Sequence, residues 1–322
     1  MVDLSILIVS WNVSALLRRC LTSIAEADGI DAVGRGQGLQ TEVIIIDNAS
    51  SDDTLSSLPD AFPWARWIVN DENVGFTRAN NQGLQIAQGR YILFLNPDTE
   101  IVGDALAQMA HFLEAHPGVG VVGPQLRYAD GRVQSSRRRF PTLATAFLES
   151  TLLHQWWPDN PVARRYHMAD TPDDQIQEVD WVVGACMMAR REVIEQIGGF
   201  DERFFMYSEE LDWCRRAKDA GWRVVYLPTA QVIHHEGKSS EQVVAARHIH
   251  FQTSKVLYFR KYHGEAAASL VRLFLLTTYV VQWAIEAGKW LLGHRRPLRR
   301  ERMAAYAQVL RSRLRPRAGD IR

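Results

Sequence analysis

Four short runs of β-branched and aromatic residues occupy the first third of the sequence, and each ends in polar or turn-forming residues. The runs are residues 4–10, 41–46, 65–70 and 90–95. Residues 14–27 and 75–88 have helical patterns, for which Ser14 and Thr77 are the expected N-terminal caps. This alternation predicts βαβ units around a parallel sheet. The polar ends of the strands then share one edge, where ligands of open α/β sheets bind.

The later part of the sequence predicts a second ordered block. Residues 28–40 are Gly-rich and polar, which predicts a surface loop, and the weak pattern of residues 129–177 predicts a flexible excursion on the substrate side. Further helices are expected at residues 103–116, 192–197 and 208–220, and further strands at 119–122, 178–183, 186–189 and 223–226.

The composition predicts a globular protein of a reducing compartment. Of the 322 residues, 47% are hydrophobic, which is enough to bury a sizeable core. Three scattered cysteines, Cys20, Cys186 and Cys214, are too few for a disulfide framework or a cysteine-based zinc site. The first residues carry no basic segment or small-residue cleavage site, so we expect no secretory signal.

Polar residues at the ends of two strands are candidates for ligand binding. Asp47 closes the second strand, and Asn96 and Asp98 close the fourth. A carboxylate at a strand end can hold Mg²⁺ or Mn²⁺ while substrate phosphates supply other ligands. Both segments are also typical of ordinary Asx turns, so the residues alone leave the two interpretations open.

Three carboxylates in one helical turn are candidates for acid–base chemistry. Glu209, Glu210 and Asp212 follow an aromatic run, and one of them is placed to act as a general base beside a cleft. Acidic residues also stabilise the first turn of a helix through its dipole, so a structural role stays open. One of the adjacent histidines His234 and His235 is a candidate metal ligand, and such pairs are more often found in surface loops.

Read in order, these segments resemble the family 2 glycosyltransferases with the GT-A fold, and among them the rhamnosyltransferase-like members. The matching pieces are SILIVSWN (5–12), IIIDNASSDDT (44–54), NDENVGFTRANNQGL (70–84), GRYILFLNPDTE (89–100) and the block at 181–228. The resemblance implies an α/β fold with a Rossmann-like, mostly parallel central sheet and flanking helices. It predicts a catalytic domain at 1–240, with a nucleotide-binding half (1–125) and an acceptor half (126–240), followed by a C-terminal helical segment (241–322).

The resemblance also implies roles for individual residues. The donor-binding residues would be Trp11, Asn12, Asp47, Asn73, Gly75, Asn80, Asn96 and Asp98. A divalent cation, Mg²⁺ or Mn²⁺, would be held by Asp98 and by His234, which begins a His-x-x-Gly-x-Ser pattern. Asn96 stands where the family has the first of two aspartates, so we assign it no ionic role.

The acceptor side of the resemblance centres on the acidic helix. Glu210 would be the base, with Glu209 and Asp212 as alternatives, although the family has Asp where this chain has Glu210. Trp181 and Gly184 would lie against the acceptor; a bulge glycine is the alternative for Gly184. The implied reaction is direct displacement with inversion, most simply from dTDP-L-rhamnose to a glycan or lipid-linked acceptor.

The C-terminal segment predicts membrane association. Residues 273–285 are uncharged, too short a run for a membrane span of roughly 20 residues. Ten arginines against two acidic residues give residues 293–322 a net charge of +8. An in-plane amphipathic helix with a basic tail suits an anionic membrane, here the inner face of the cell membrane. The alternative is that this helix packs on the catalytic domain or on a second subunit.

Two other classes of protein are less consistent with the sequence. A dinucleotide-binding oxidoreductase needs a Gly-x-Gly-x-x-Gly turn after the first strand, and residues 10–14 contain no glycine. Nucleic-acid binding by the basic tail would call for interleaved aromatics, of which Tyr306 is the sole example there. A catalytically inactive sugar-nucleotide binder acting as a scaffold remains an alternative, because of Asn96 and Glu210.

Overall fold

The structure is a computed structural model that describes residues 2–149, 151–235 and 244–315. Gly237 and Ser239 of the predicted His-x-x-Gly-x-Ser pattern, and the arginines at 317 and 322, lie outside the described residues. The described chain divides into two compact units: residues 1–140, 167–201 and 209–239 form the first, and residues 141–166, 202–208 and 240–322 form the second.

The first unit is built on a mixed sheet. Its strands are β1 (Leu4–Ser10), β2 (Ile30–Asp31), β3 (Leu39–Asp47), β4 (Ala65–Val69), β5 (Tyr91–Leu95), β6 (Thr99–Ile101), β7 (Val119–Arg127), β8 (Arg137–Arg138), β9 (Gln177–Val179), β10 (Trp181–Val182), β11 (Cys186–Arg190) and β12 (Arg223–His234). Its helices are α1 (Ser14–Glu26), α2 (Thr54–Ala61), α3 (Phe76–Ile86), α4 (Ala105–Ala115), α8 (Arg191–Ile197) and α9 (Glu209–Asp219), and the second unit contributes α5 (Leu143–Leu148), α6 (Leu152–Trp156), α7 (Pro161–Tyr166), α10 (Val244–Leu291) and α11 (Arg296–Ser312).

The strand order of the main sheet is β2-β3-β1-β5-β11-β7-β12-β6, with β4 on β3 and β9 on β12. The pairings among strands β1 to β5 are all parallel, while β11 runs antiparallel to β5 and β7. Every residue of β1 is buried, as expected for a central strand covered on both faces. The α/β class, the central sheet and the C-terminal helices are therefore confirmed.

The register brings the carboxyl ends of the parallel strands to one edge. Ser10 of β1 pairs with Asp47 of β3, and Asp47 also pairs with Val69 of β4. Ile8 of β1 pairs with Leu95 at the end of β5. The predicted shared edge for the first four long strands is confirmed, and it collects the polar residues that follow them.

Several local expectations were wrong. The cap position of α1 is Val13, and the amide N–H of Ser14 donates instead to Asp52 Oδ2 at 2.9 Å. Helix α3 begins after Gly75, whose φ of 89° suits glycine, rather than at a Thr77 cap. The predicted loop at 28–40 contains β2, which pairs with β3.

The segment predicted as a flexible excursion, residues 129–177, is largely ordered. It contains β8 and α5 to α7, and Arg137 of β8 is buried in the first unit. The Arg137 guanidinium donates to the Thr171 carbonyl at 2.8 Å and to Gln177 Oε1 at 2.7 Å. The weak hydrophobic period did not predict this order, which at Arg137 depends on polar partners far away in the sequence.

In the second unit, α10 breaks at Gly264, where φ is 85°. After the break, one face of α10 is buried; its members include Ala268, Val271, Leu275, Thr278, Tyr279 and Glu286. Glu286 forms an ion pair of 2.7 Å with Arg299 of α11. Two polar side chains of this helix, Thr278 and Glu286, are thus buried instead of facing water.

Outside this buried face, α10 exposes a strip of apolar side chains. Its members are Leu270, Leu273, Val280, Val281, Trp283, Ile285, Trp290 and Leu291, and Leu292 follows the helix. By length and composition α10 is also able to cross a membrane, with a mean hydropathy of 1.5 in its most apolar window. The prediction that this segment is too short to span a membrane, which was based on its 13 uncharged residues, therefore underestimated the apolar length of the helix.

Candidate functional site

The loop after β1 meets the loop after β3 at the polar edge of the sheet. Asn12 has a left-handed φ of 53°, and its amide N–H donates to Ser50 Oγ at 2.9 Å. The Asn12 side-chain oxygen accepts from the Ser51 N–H at 2.7 Å. Trp11, beside it, is half-buried. These bonds hold the two predicted donor-binding loops against each other.

Asp47 is the buried carboxylate at this junction. The residue is fully buried, and its Oδ2 accepts from the Ser50 N–H at 2.9 Å. Among the described residues, nothing donates a hydrogen bond to its Oδ1. A buried acceptor left unsatisfied is costly, so Asp47 suits a ligand that brings a donor, such as the ring N–H of a pyrimidine base.

The turn before α3 is fixed by side-chain amides. The Gly75 N–H donates to Asn73 Oδ1 at 3.0 Å, and the Gly75 carbonyl accepts from Asn48 Nδ2 at 3.2 Å. Asn80 is buried and donates to the Phe76 carbonyl of its own helix at 3.0 Å. Asn73 and Gly75 therefore shape the turn directly, whereas Asn80 hydrogen-bonds within α3.

Asp98 and His234 come together from distant parts of the sequence. Strands β6 and β12 pair with Thr99 opposite His234, and the His235 N–H donates to the Asp98 carbonyl at 2.8 Å. His234 Nε2 lies 3.4 Å from Asp98 Oδ1, and both side chains are buried. The predicted metal-ligand pair is therefore assembled by sheet register, 136 positions apart in the numbering.

This pair fits a divalent cation. A carboxylate and an imidazole suit Mn²⁺ or Mg²⁺ when substrate phosphates and water complete the coordination. Within the described ranges, no group of three or more His, Cys, Asp or Glu converges on one point. The chain would thus supply two ligands. The nearby Asn96 N–H donates to the Ala185 carbonyl at 2.9 Å, and this bond connects the end of β5 to the residue before β11.

Glu210 lies beside Gly184. Gly184 precedes Ala185, whose carbonyl accepts the hydrogen bond from the Asn96 N–H, so Glu210 belongs to the same edge of the sheet. Burial raises the pKa of Glu210, and hydrogen bonds from backbone N–H groups, including that of Gly184, oppose the rise. The Glu210 Oε2 has no hydrogen-bond partner in the described part of the chain. A half-buried carboxylate with a raised pKa and an unengaged oxygen has the character of a general base.

Glu209 is more deeply buried than Glu210. Burial, followed by the negative charge of Glu210, raises the pKa of Glu209 well above its usual value. Its Oε2 also lacks a hydrogen-bond partner among the described residues. Two adjacent carboxylates that both resist ionisation favour a state in which one of them carries a proton.

Asp212 has a different environment. It is fully buried, and its Oδ2 accepts from Arg216 Nε at 2.9 Å. The same guanidinium donates to the Ile197 and Gly199 carbonyls, each at 2.7 Å. Through Arg216, Asp212 therefore links α9 to the end of α8, and we propose that its role is structural.

Trp181 is 8% exposed, and its indole N–H donates to the Arg139 carbonyl at 3.0 Å. The Arg138 guanidinium lies 5.9 Å from the centre of the Trp181 ring. The charge of Arg138 also lowers the pKa of Glu210, after burial and the backbone hydrogen bonds have acted. Trp181 thus supports the β8–β10 pair, and Arg138 joins this region electrostatically to Glu210.

Residues 5–198 match the family described as Glycosyl transferase family 2. The chain belongs to this family. Relatives of this family 2 chain include the N-acetylglucosaminyl-diphospho-decaprenol L-rhamnosyltransferase of Mycobacterium tuberculosis, 31% identical over 62% of this chain and 67% of the relative. The rhamnosyltransferase WbbL of Escherichia coli K12 is 31% identical over 46% of this chain and 53% of the relative.

A solved structure of low identity shares the fold of this family 2 chain. The mannosyltransferase PcManGT from Pyrobaculum calidifontis, in complex with GDP-Man and Mn²⁺, superposes with a TM-score of 0.53 at 17% identity, over 96% of this chain and 85% of that chain. At this identity the likeness concerns the fold alone. The GT-A glycosyltransferase fold implied by the sequence resemblance is confirmed.

Sequence reasoning missed two residues that organise the site. Gln134 accepts a hydrogen bond from His234, and Asp52 binds the N–H of Ser14 while also accepting from Thr54 Oγ1 at 2.5 Å. Asp52 lies two positions before the first residue of α2, so its hydrogen bonds at the start of that helix had a local signal in the sequence. Gln134 had none, because its partner is 100 positions away.

Proposed function

We propose that this glycosyltransferase moves L-rhamnose, from dTDP-L-rhamnose, onto a glycan or lipid-linked acceptor in cell-surface polysaccharide synthesis, with inversion at the anomeric carbon. The observation that carries the proposal is the placement of Glu210, with its unengaged Oε2, at the same sheet edge as the Asp98–His234 pair. The rhamnosyltransferase relatives support the choice of donor and of acceptor class.

In the proposed reaction, Glu210 removes the proton from an acceptor hydroxyl as that oxygen attacks the anomeric carbon. The new glycosidic bond forms as the bond from this carbon to the diphosphate oxygen breaks, and the electron pair leaves with the nucleoside diphosphate. Asp98 and His234 would hold the cation, which when bound supplies positive charge to the departing diphosphate. Asp47 and the Asn73–Gly75 turn orient the nucleotide.

The direct test is nucleotide binding. Purified protein is titrated with dTDP and with UDP, each with and without Mn²⁺, and the wild type is compared with Asp98→Ala. We expect tighter binding of dTDP than of UDP, a gain on adding Mn²⁺, and loss of that gain in Asp98→Ala. Failure of both nucleotides to bind under every metal condition would overturn the proposal.

Turnover separates an enzyme from an inactive homologue. The replacement of the family's aspartates by Asn96 and Glu210 makes a catalytically inactive nucleotide-sugar-binding scaffold the alternative. An enzyme releases dTDP from dTDP-L-rhamnose in the presence of acceptor, and an inactive binder retains the donor intact. Release of dTDP by the wild type but not by Glu210→Gln would support the enzyme.

The second unit supports a peripheral association with the cytoplasmic face of the membrane. Its α10 exposes an apolar strip, and exposed arginines of α11, such as Arg296, Arg300 and Arg302, suit anionic lipid head groups. The opposite face of α10 packs within the unit and holds Glu286 in its ion pair with Arg299. One-sided packing favours a helix that lies on the membrane, close to a lipid-linked acceptor.

A further inference from the structure

We propose that Gln134 is a positioning residue that orients His234 for cation binding. Gln134 Oε1 lies 2.8 Å from His234 Nδ1, and both residues are buried, at 7% and 6% exposed. The other ring nitrogen, His234 Nε2, faces Asp98 Oδ1 at 3.4 Å. The imidazole is therefore held between an amide oxygen and the carboxylate with which it would share the cation.

The backbone fixes Gln134 in this place. Its N–H donates to the Leu126 carbonyl at 2.8 Å, one residue before the end of β7. Leu126 pairs with Val232 of β12, two residues before His234. Gln134 lies in the segment after β7 and is tied back to that strand, which pairs with the strand that carries His234.

The chemistry of the amide sets the state of the ring. An amide oxygen accepts but does not donate, so the hydrogen of a neutral His234 lies on Nδ1. Nε2 then keeps its lone pair, which is the form that binds a metal ion. Without this acceptor the hydrogen is free to move to Nε2, where Asp98 Oδ1 would accept it. His234 and Asp98 would then be hydrogen-bonded to each other, and neither would be available to bind the cation.

The inference rests on the cation site of the proposed function, and its first test is Mn²⁺ affinity. Free Mn²⁺ is measured by electron paramagnetic resonance during titration of the full chain in the presence of dTDP. Gln134→Leu removes the acceptor while keeping a side chain of similar length, and we expect Mn²⁺ binding to weaken by roughly 10- to 100-fold. Gln134→Glu retains an acceptor and should bind Mn²⁺ far more tightly than Gln134→Leu.

Gln125→Leu is the matched control. Gln125 is equally buried in β7, and its Nε2 donates to the Asp173 carbonyl at 3.0 Å and to the Tyr226 hydroxyl at 3.2 Å. This variant loses a buried amide without touching His234, so we expect it to keep wild-type Mn²⁺ affinity. An equal loss of affinity in both variants would mean that Gln134 acts through general stability, and would overturn the inference.

A second readout needs no metal. In metal-free protein labelled with ¹⁵N-histidine, the ring nitrogen shifts report which nitrogen carries the hydrogen. We expect the Nδ1–H form for His234 in the wild type and loss of that preference in Gln134→Leu, with Gln125→Leu unchanged. Wild-type-like Mn²⁺ binding by Gln134→Leu would overturn this inference alone. Failure of the wild type itself to bind Mn²⁺ would overturn the cation site and this inference with it.

Discussion

Glu210 packs so closely against Gly184 that a Cβ atom on residue 184 would lie 3.3 Å from the Glu210 Cβ and 3.4 Å from its Cγ. The backbone N–H of Gly184 also donates a hydrogen bond to Glu210. Sequence reasoning expected this glycine to admit a sugar. The structure places Gly184 against the Glu210 side chain, and we propose that its small size makes room for this carboxylate.

Gly184→Ala should therefore lower turnover more than donor binding. The added methyl group would crowd the Glu210 side chain, which has to move by a few tenths of an ångström. Because a shift of about 1 Å in a reacting group can cost about 100-fold in rate, we expect this smaller shift to lower kcat by roughly 3- to 10-fold while the Kd for dTDP stays near that of the wild type. Unchanged kcat in a folded Gly184→Ala protein would argue against Glu210 as the base.

The pH dependence of the reaction should report Glu210. A general base acts as the carboxylate, and burial raises the pKa of Glu210. The value of kcat/KM should therefore decline, as pH falls, at a higher pH than an ordinary glutamate with a pKa of about 4.3 would give. Glu210→Gln should lose roughly 100- to 10,000-fold in kcat, and its residual activity should lack this acidic decline. If Glu209→Gln lost more kcat than Glu210→Gln, then Glu209 would be the base and Glu210 would not.

Glu209 gives a separate prediction about stability. Because its folded-state pKa is raised, folding is penalised once pH exceeds the unfolded pKa, and the penalty is greatest above the folded pKa. Glu209→Gln removes this buried carboxylate, so it should stabilise the protein at pH 8 by about 1–3 kcal/mol. The difference should shrink toward pH 4, where the wild-type side chain is protonated in the folded state and largely protonated in the unfolded state. Denaturant unfolding at the two pH values measures it, and equal effects at both would contradict the prediction.

Much of the fold followed from sequence because its signals are local. The strand at 4–10 has the bounds of β1 and helix 14–27 extends one residue beyond α1, since apolar runs and periodicity act over neighbouring residues. The Asp98–His234 pair was proposed through the resemblance, whereas the bond from Gln134 to His234 spans 100 positions and depends on β7–β12 register. The hydrogen bonds that hold Arg137 were also not predicted, because its partners lie 34 and 40 positions away in the sequence.

Replacing Asp212 would show whether it is the alternative base or has a structural role. Its ion pair with Arg216 is buried on the Asp212 side, and Arg216 also binds two backbone carbonyls. Asp212→Asn should cost about 3 kcal/mol of unfolding free energy, since removing one partner leaves a partly buried charge uncompensated. Below its unfolding transition the variant should retain kcat within a few-fold of the wild type. A stable but inactive Asp212→Asn would return Asp212 to the catalytic site.

The apolar strip of α10 makes the last prediction. Leu273 and Val280 are 65% and 53% exposed on it, so Leu273→Asp and Val280→Asp place charge on the surface proposed to enter the membrane without disturbing the buried face. We expect each variant to lose most of its co-sedimentation with vesicles that contain phosphatidylglycerol. Val69→Asp is the matched control, because Val69 is 56% exposed but belongs to the first unit.

Salt and alkali distinguish the ways in which that strip could meet a membrane. If the arginines of α11 contribute by attraction to anionic lipid, raising the salt concentration should weaken vesicle binding, and neutral phosphatidylcholine vesicles should bind the wild type poorly. A peripheral helix is also released from membranes by alkaline carbonate. Retention after carbonate washing would show instead that α10 spans the bilayer, as its length and hydropathy permit. Vesicle binding unchanged in both α10 variants would leave the strip as a surface for another protein or a second copy of the chain.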